Sequence, residues 1–308
     1  MTVTIEPADR VVHAEIEAVL AEIEATPWPD DIAEARRLMD EMAPPLAGDI
    51  MAEPVALAGC RGQILIPPDC EKDRAILFLH GGGYVYGSLK SHAGMAGELA
   101  RAARGKVYQL DYRLAPEHPF PAALQDACAA YGWLRQTGYA AAGIAIVGDS
   151  AGGGLVMSTL LALRGRSEEL PDAAVCISPW VDLEATGASF STRRQLDPMI
   201  DRRLVGLLAG IYANGADLRD PLISPIHADL RGLPRLLIQV GEREVLFSEA
   251  ETLARHARLA DIDVTFEEWS DMVHVWHLFF PRLSDGRAAI ARAGAFIAKS
   301  ATSQRRLR

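Results

Sequence analysis

A serine between glycines, placed just after an apolar run, is the first chemical feature of this sequence. Val147 to Gly154 reads VGDSAGGG, with Gly148, Asp149, Ser150, Ala151 and Gly152 forming G-x-S-x-G. The preceding IAIVG reads as a strand and the following GLVMSTLLALRG as a helix. A strand–turn–helix around such a serine exposes its Oγ as a nucleophile, and the small flanking residues let the turn close tightly. The bland alternative is a glycine turn that happens to hold a serine. The strand before and the helix after favour the nucleophile.

A second stretch supplies what such a nucleophile requires. His80 to Gly83, HGGG, follows the apolar run Ala75 to Leu79. Consecutive glycines leave backbone N–H groups free to face a developing oxyanion. A phosphate cradle is the competing reading, but neither GxxxxGK[ST] nor a helix-opening GxGxxG is present. His80 itself reads as an organiser of the loop rather than a proton acceptor.

The base must be a histidine, and in strand–elbow–helix hydrolases it follows the acid in the chain. His227, His256, His274 and His277 lie downstream of Ser150. His227 sits in a proline-flanked segment before the next strand, and His256 in a charged helical stretch. His274 follows the strand ending near Trp269, and His277 reads as the first turn of a further helix, so His274 is favoured. For the acid, the loop after the Leu236–Gly241 run offers Glu242, Glu244, Glu249 and Glu251. Glu249 and Glu251 read as the solvent face of a helix. Spacing alone does not separate Glu242 from Glu244.

These groups need a scaffold to position them. The runs Ala75–His80, Val107–Tyr112, Ile144–Gly148, Ala173–Ser178, Leu236–Gly241 and Val264–Trp269 are short and apolar. They read as strands buried on both faces of a parallel sheet. Helical periodicity fills the intervals at His92–Arg104, Ala122–Gln136, Gly154–Gly165, Glu249–Ala260 and Gly286–Lys299. The alternation is the α/β signature. Two regions depart from it. Residues 1–50 read as helical, broken at TPWPD, and about 181–225 is too long for a connection and reads as an insertion. This divides the chain into an N-terminal helical segment, 1–50, and a main body, 51–308, with an insertion at about 181–225.

Composition narrows the partners. With 31 Lys and Arg against 41 Asp and Glu, the net charge of −10 disfavours nucleic acid. The basic end Arg305–Arg308 reads as a solvated tail. Cys60, Cys70, Cys128 and Cys176 form no metal-ligand spacing; Cys128 and Cys176 sit in apolar contexts, and only Cys60 and Cys70 are candidates to pair. No apolar run approaches the ~18 residues of a membrane span. The start MTVTIEPADR lacks a basic-then-apolar leader. The expectation is a cytoplasmic protein without metal or cofactor.

HGGG (80–83), DYRLAPEHPFPAAL (111–124), GDSAGG (148–153), SPWVDL (178–183), SPIHADLRGLP (224–234) and MVHVW (272–276) occur together and in order. As a set the chain resembles the bacterial hormone-sensitive-lipase-like family of α/β hydrolases. The resemblance implies an α/β-hydrolase fold, a mostly parallel eight-stranded sheet with a helical cap, and a serine carboxylesterase acting on short-to-medium acyl esters. It implies Ser150 as nucleophile, His274 as base, and the amides of Gly82, Gly83 and Ala151 as the oxyanion hole. It places Glu244 at the acid position, where the family usually has aspartate in G-x-x-D-x-L. A lactone hydrolase with the same triad is the nearest alternative, and a non-catalytic small-molecule binder the more distant one. By analogy with the family, Val264–Trp269 would serve as an edge strand for a homodimer. Arg113 and Glu117 read as a local pair holding their loop. Asp149 reads as either fixing the elbow or tuning access. Tyr84, Trp28 and Trp276 read as packing.

Overall fold

The computed structural model describes residues 2–6 and 10–299; the Arg305–Arg308 tail lies outside them. In chain order the elements are β1 (Thr2–Ile5), α1 (Arg10–Ala25), α2 (Ile32–Met42), β2 (Met51–Leu57), β3 (Cys60–Ile66), β4 (Ala75–Leu79), α3 (Leu89–Ala103), β5 (Lys106–Leu110), α4 (Ala122–Gln136), β6 (Ile144–Asp149), α5 (Ala151–Gly165), β7 (Ala173–Ile177), α6 (Ser189–Thr192), α7 (Arg202–Ala213), β8 (Arg235–Gly241), α8 (Phe247–Leu259), β9 (Val264–Trp269) and α9 (Ser284–Ala298).

The strands form one nine-stranded sheet, ordered β1-β9-β8-β7-β6-β4-β5-β3-β2. The β2–β3 and β3–β5 pairs are antiparallel, and all others are parallel. The apolar runs explain the centre: every residue of β4, β6 and β7 is buried. Ile76, Phe78, Val147 and Val175 meet Met95 and Leu99 of α3 and Ile290 and Ile297 of α9 on one face. Leu77, Leu79, Ile146 and Cys176 meet α4, α5 and α8 on the other. With helices on both faces, parallel strands lose contact with water on both sides.

Three strands depart from the sequence expectation. The sheet has nine strands, not eight, because Thr2–Ile5 adds to β9 from within the segment read as wholly helical. This corrects the proposed dimer contact as well: β9 lies between β1 and β8 and offers no free edge. The hairpin β2–β3 also lay unread. It turns through Ala58 and Gly59, both at positive φ (51° and 91°), which suits a two-residue hairpin loop.

α1 seats Ile16 and Val19 against Trp269, Met272, Trp276 and Phe279. Arg36 of α2 bonds to the carbonyls of Val85 and Ala115 and to Glu117 at 2.8 Å. The segment after β7 carries α6 and α7, and Val205 and Leu208 of α7 join the main core. No helix among the described residues is long and apolar enough to cross a membrane. All four cysteines are free, so Cys60 and Cys70 are not paired.

Candidate active site

The elbow is built from close backbone approach. Ser150 lies between the end of β6 and the start of α5 at φ 53°, ψ −122°, a region non-glycine residues seldom adopt. Its N–H donates to the Ile177 carbonyl at 2.8 Å, and its own carbonyl accepts from Trp180 N–H at 3.0 Å and Gly154 N–H at 3.1 Å. These bonds fix the strained turn to β7 and its following loop. A Cβ on Gly152 would fall 2.0 Å from the Leu79 carbonyl oxygen, so only glycine lets α5 leave this close to β4.

Ser150 Oγ lies 3.0 Å from His274 Nε2. On the other side of the ring, His274 Nδ1 lies 2.8 Å from Glu244 Oε2. A carboxylate accepts, so Nδ1 carries the proton and Nε2 faces the serine hydroxyl as an acceptor. Glu244 is fully buried, and its other oxygen accepts from Gly241 N–H at 2.5 Å and Ser178 Oγ–H at 2.7 Å. Burial pushes the Glu244 carboxyl up, and its bonds to His274, Gly241 and Ser178 hold that rise back. For His274, burial works downward, but the hydrogen bond and charge of Glu244, joined by Asp197 and Asp149, carry it above the usual imidazole value.

Beside Ser150 lies a cavity of about 120 Å³. Gly82, Gly83, Ser150 and His274 form its polar end; Trp28, Tyr86, Met199, Ile200, Leu204 and Leu208 are among its apolar walls. Gly82 and Gly83 have φ of 109° and 62°. Ala151 opens α5, where a first-turn amide has no intrahelical acceptor.

The remaining sequence candidates have other partners. His277 is buried and bonds through Nε2 to Gln239 Oε1 at 2.9 Å. Burial lowers it to about 3. His80 bonds through Nδ1 to the Gly81 carbonyl and stacks on Tyr112. Burial lowers it too, to about 3. His227 sits 3.5 Å from Glu184, and His256 meets the Ile226 carbonyl. Glu242 is at the surface and accepts from Asp271 N–H at 3.0 Å. Glu249 is a correction. It was read as solvent-facing, yet it is buried and accepts from the N–H groups of Val181 and Asp182. Arg113 and Glu117 are both ion-paired, but not to each other: Arg113 holds Asp126 at 2.7 Å, and Glu117 holds Arg36. Trp28 lines the cavity, whereas Tyr84 stacks on Tyr212 and Trp276 packs on Trp269.

Three contacts were not read from the sequence. Asp149 accepts from Gly81 N–H at 3.1 Å and lies 3.2 Å from His92 Nε2, tying the elbow to the glycine loop. Asp197 accepts from Val245 N–H at 2.9 Å, and from Met199 and Ile200 N–H, joining the cavity wall to the Glu244 loop. Ser178 touches both Glu244 and the N–H of Val275. Asp149 and Ser178 had motif membership as their only signal and Asp197 lies in none of the motifs; the partners Gly81, His92, Val245, Glu244 and Val275 all lie far away in sequence.

A mostly parallel sheet with a serine elbow between β6 and α5, and a histidine–carboxylate pair brought to it from the loops after β9 and β8, defines the α/β-hydrolase class. The family model described as the alpha/beta hydrolase fold matches residues 76–278. An acetyl-hydrolase of Streptomyces hygroscopicus is 44% identical over 274 residues, covering 88% of this chain and 91% of its own. An esterase of Acinetobacter venetianus is 32% identical over 248 residues, covering 79% and 81%. The crystal structure of an esterase from the bacterial hormone-sensitive lipase family is 44% identical, with a TM-score of 0.91 over 96% of this chain and 99% of that one. The chain belongs to the bacterial hormone-sensitive-lipase-like family of α/β-hydrolase carboxylic ester hydrolases.

Proposed function

We propose that the protein hydrolyses carboxylic esters of short acyl chains through an acyl-enzyme on Ser150. The observation that carries this is the unbroken hydrogen-bond chain from Glu244 through His274 to Ser150, which lies beside an apolar cavity. His274 Nε2 takes the proton as Ser150 Oγ attacks the ester carbonyl. The oxyanion rests on the amides of Gly82, Gly83 and Ala151. The imidazolium, stabilised by Glu244, then protonates the leaving alcohol. Water, deprotonated by the same imidazole, cleaves the acyl-enzyme.

The cavity suggests the acyl size. A cavity of ~150 Å³ holds a benzene molecule, so about 120 Å³ suits an acyl chain of roughly four to six carbons. Residues 1–50 and about 181–225 act as the cap: Trp28 comes from the first, and Met199, Ile200, Leu204 and Leu208 from the second.

The test is hydrolysis of p-nitrophenyl esters from acetate to palmitate by the wild type and by Ser150→Ala. Turnover is expected to be highest between acetate and hexanoate and to vanish in the variant. Equal rates in both proteins would remove the proposal.

A further inference from the structure

Ser178 directly follows β7 in the stretch Ile177-Ser178-Pro179-Trp180. It is fully buried and has a positive φ of 44°. Its N–H donates to the Gln239 carbonyl at 2.7 Å, which extends the β7–β8 ladder by one residue. The backbone is therefore anchored to the sheet, and the hydroxyl extends between two loops. It donates to Glu244 Oε1 at 2.7 Å and accepts from Val275 N–H at 3.1 Å. A hydroxyl has one proton and two lone pairs, so both bonds form together.

Val275 directly follows His274. It is β-branched and sits at φ 47°, ψ 46°, where such residues are outliers. Its amide bond to Ser178 helps hold that conformation, and with it the direction of the His274 ring. Glu244 Oε1 has two donors, Ser178 and Gly241 N–H. Together they occupy one carboxylate oxygen and leave Oε2 to His274.

We propose that Ser178 is a positioning residue for the ester hydrolysis: its hydroxyl ties the Glu244 carboxylate and the His274 loop to the end of β7 in a single register. This rests on the reading of Ser150, His274 and Glu244 given above. Other charged or titratable groups also face the pair. Asp149 comes from the elbow, Asp197 and Arg193 from the segment between α6 and α7, Glu249 from α8, and His277 from the turn after His274. A Ser178 substitution leaves all of them in place, so a change in pH profile reports the lost hydroxyl.

The experiment compares wild type, Ser178→Ala, Ser178→Thr and Ser178→Val on p-nitrophenyl butyrate, with Ser150→Ala alongside. Thr and Val have nearly the same shape and differ in the hydroxyl. Ser178→Ala and Ser178→Val are expected to lower kcat about tenfold, the scale of one lost hydrogen bond to a charged group. KM should stay within about twofold, because the bond serves the reacting groups rather than substrate binding. The acid limb of kcat/KM should move up by about half a pH unit, because a carboxylate that loses a donor strengthens the proton affinity of the pair. Ser178→Thr should keep the wild-type limb. Thr and Val variants that share one rate and one pH profile would overturn the proposal, as would an Ala variant with wild-type kcat and pH profile. An active Ser150→Ala would instead remove the triad reading itself.

Discussion

Glu244→Gln changes one atom of the site and almost nothing of its shape. In the wild type, Oε1 accepts from Gly241 N–H at 2.5 Å and Ser178 Oγ–H at 2.7 Å. An amide nitrogen placed there would set donor against donor. The glutamine carbonyl must therefore take the Oε1 position, and its NH₂ must face His274 Nδ1, 2.8 Å from the present Oε2. That donor requires Nδ1 to accept, which moves the imidazole proton to Nε2, 3.0 Å from Ser150 Oγ. The ring is then in the wrong tautomer to take the serine proton. An acid-to-amide exchange of this kind costs a serine hydrolase about 10⁴-fold in kcat, or ~5.5 kcal/mol. For Glu244→Gln the expectation is a kcat lower by about 10³- to 10⁴-fold, with KM nearly unchanged. The assay is steady-state hydrolysis of p-nitrophenyl butyrate, normalised by titrating active sites and accompanied by thermal melting to confirm the fold. A Gln variant within tenfold of wild type would refute the reasoning. So would a larger loss from Glu242→Gln, whose carboxylate meets only Asp271 N–H at the surface.

Two further outcomes follow from the same geometry. In the proposed mechanism neutral His274 accepts the serine proton and protonated His274 cannot, so activity should rise with pH through its folded pKa; because Glu244 raises that value, the acid limb of kcat/KM should lie above the ~6.5 of an ordinary imidazole, and a limb at or below 6 would contradict it. Gly82 has φ 109°, and a Cβ there would lie 2.6 Å from the carbonyl carbon and oxygen of Tyr86. Gly82→Ala should therefore displace an oxyanion donor and lower kcat about 100-fold or more, and single-turnover acylation at the wild-type rate would show that this amide is not used.

The legible parts of the sequence were those set by local rules. β4, β6 and β7 are apolar throughout because both faces are covered, so their runs stand out. The elbow is legible because close approach at Gly152 forbids any other side chain. β2 reads poorly for the opposite reason: it is an edge strand, four of its first residues are exposed, and Pro54 lies within it, as edge strands tolerate. β1 has four residues with alternating exposure, too short to show a period. Glu249 was misread because helical periodicity describes a helix surface, while its partners at Val181 and Asp182 come from another loop. His92 reads as one more residue of α3; its role depends on Asp149, 57 positions away.

Glu244 shows how a buried carboxylate remains useful as an anion. Burial alone would protonate it, and a neutral acid could not stabilise an imidazolium. Two fixed donors on Oε1 oppose that tendency without competing for Oε2. Their effect has a limit. Each donor also draws charge away from Oε2, so each donor lost leaves more of that charge facing His274 and raises it, making it a stronger base in the first step but a poorer proton donor to the leaving alcohol, and moving the acid limb up. The best base has a pKa near the working pH. The donors on Glu244 therefore set the pH at which the site works, as well as its geometry. This is why the acid limb, rather than the rate alone, is the quantity to follow when Glu244 or its neighbours are changed.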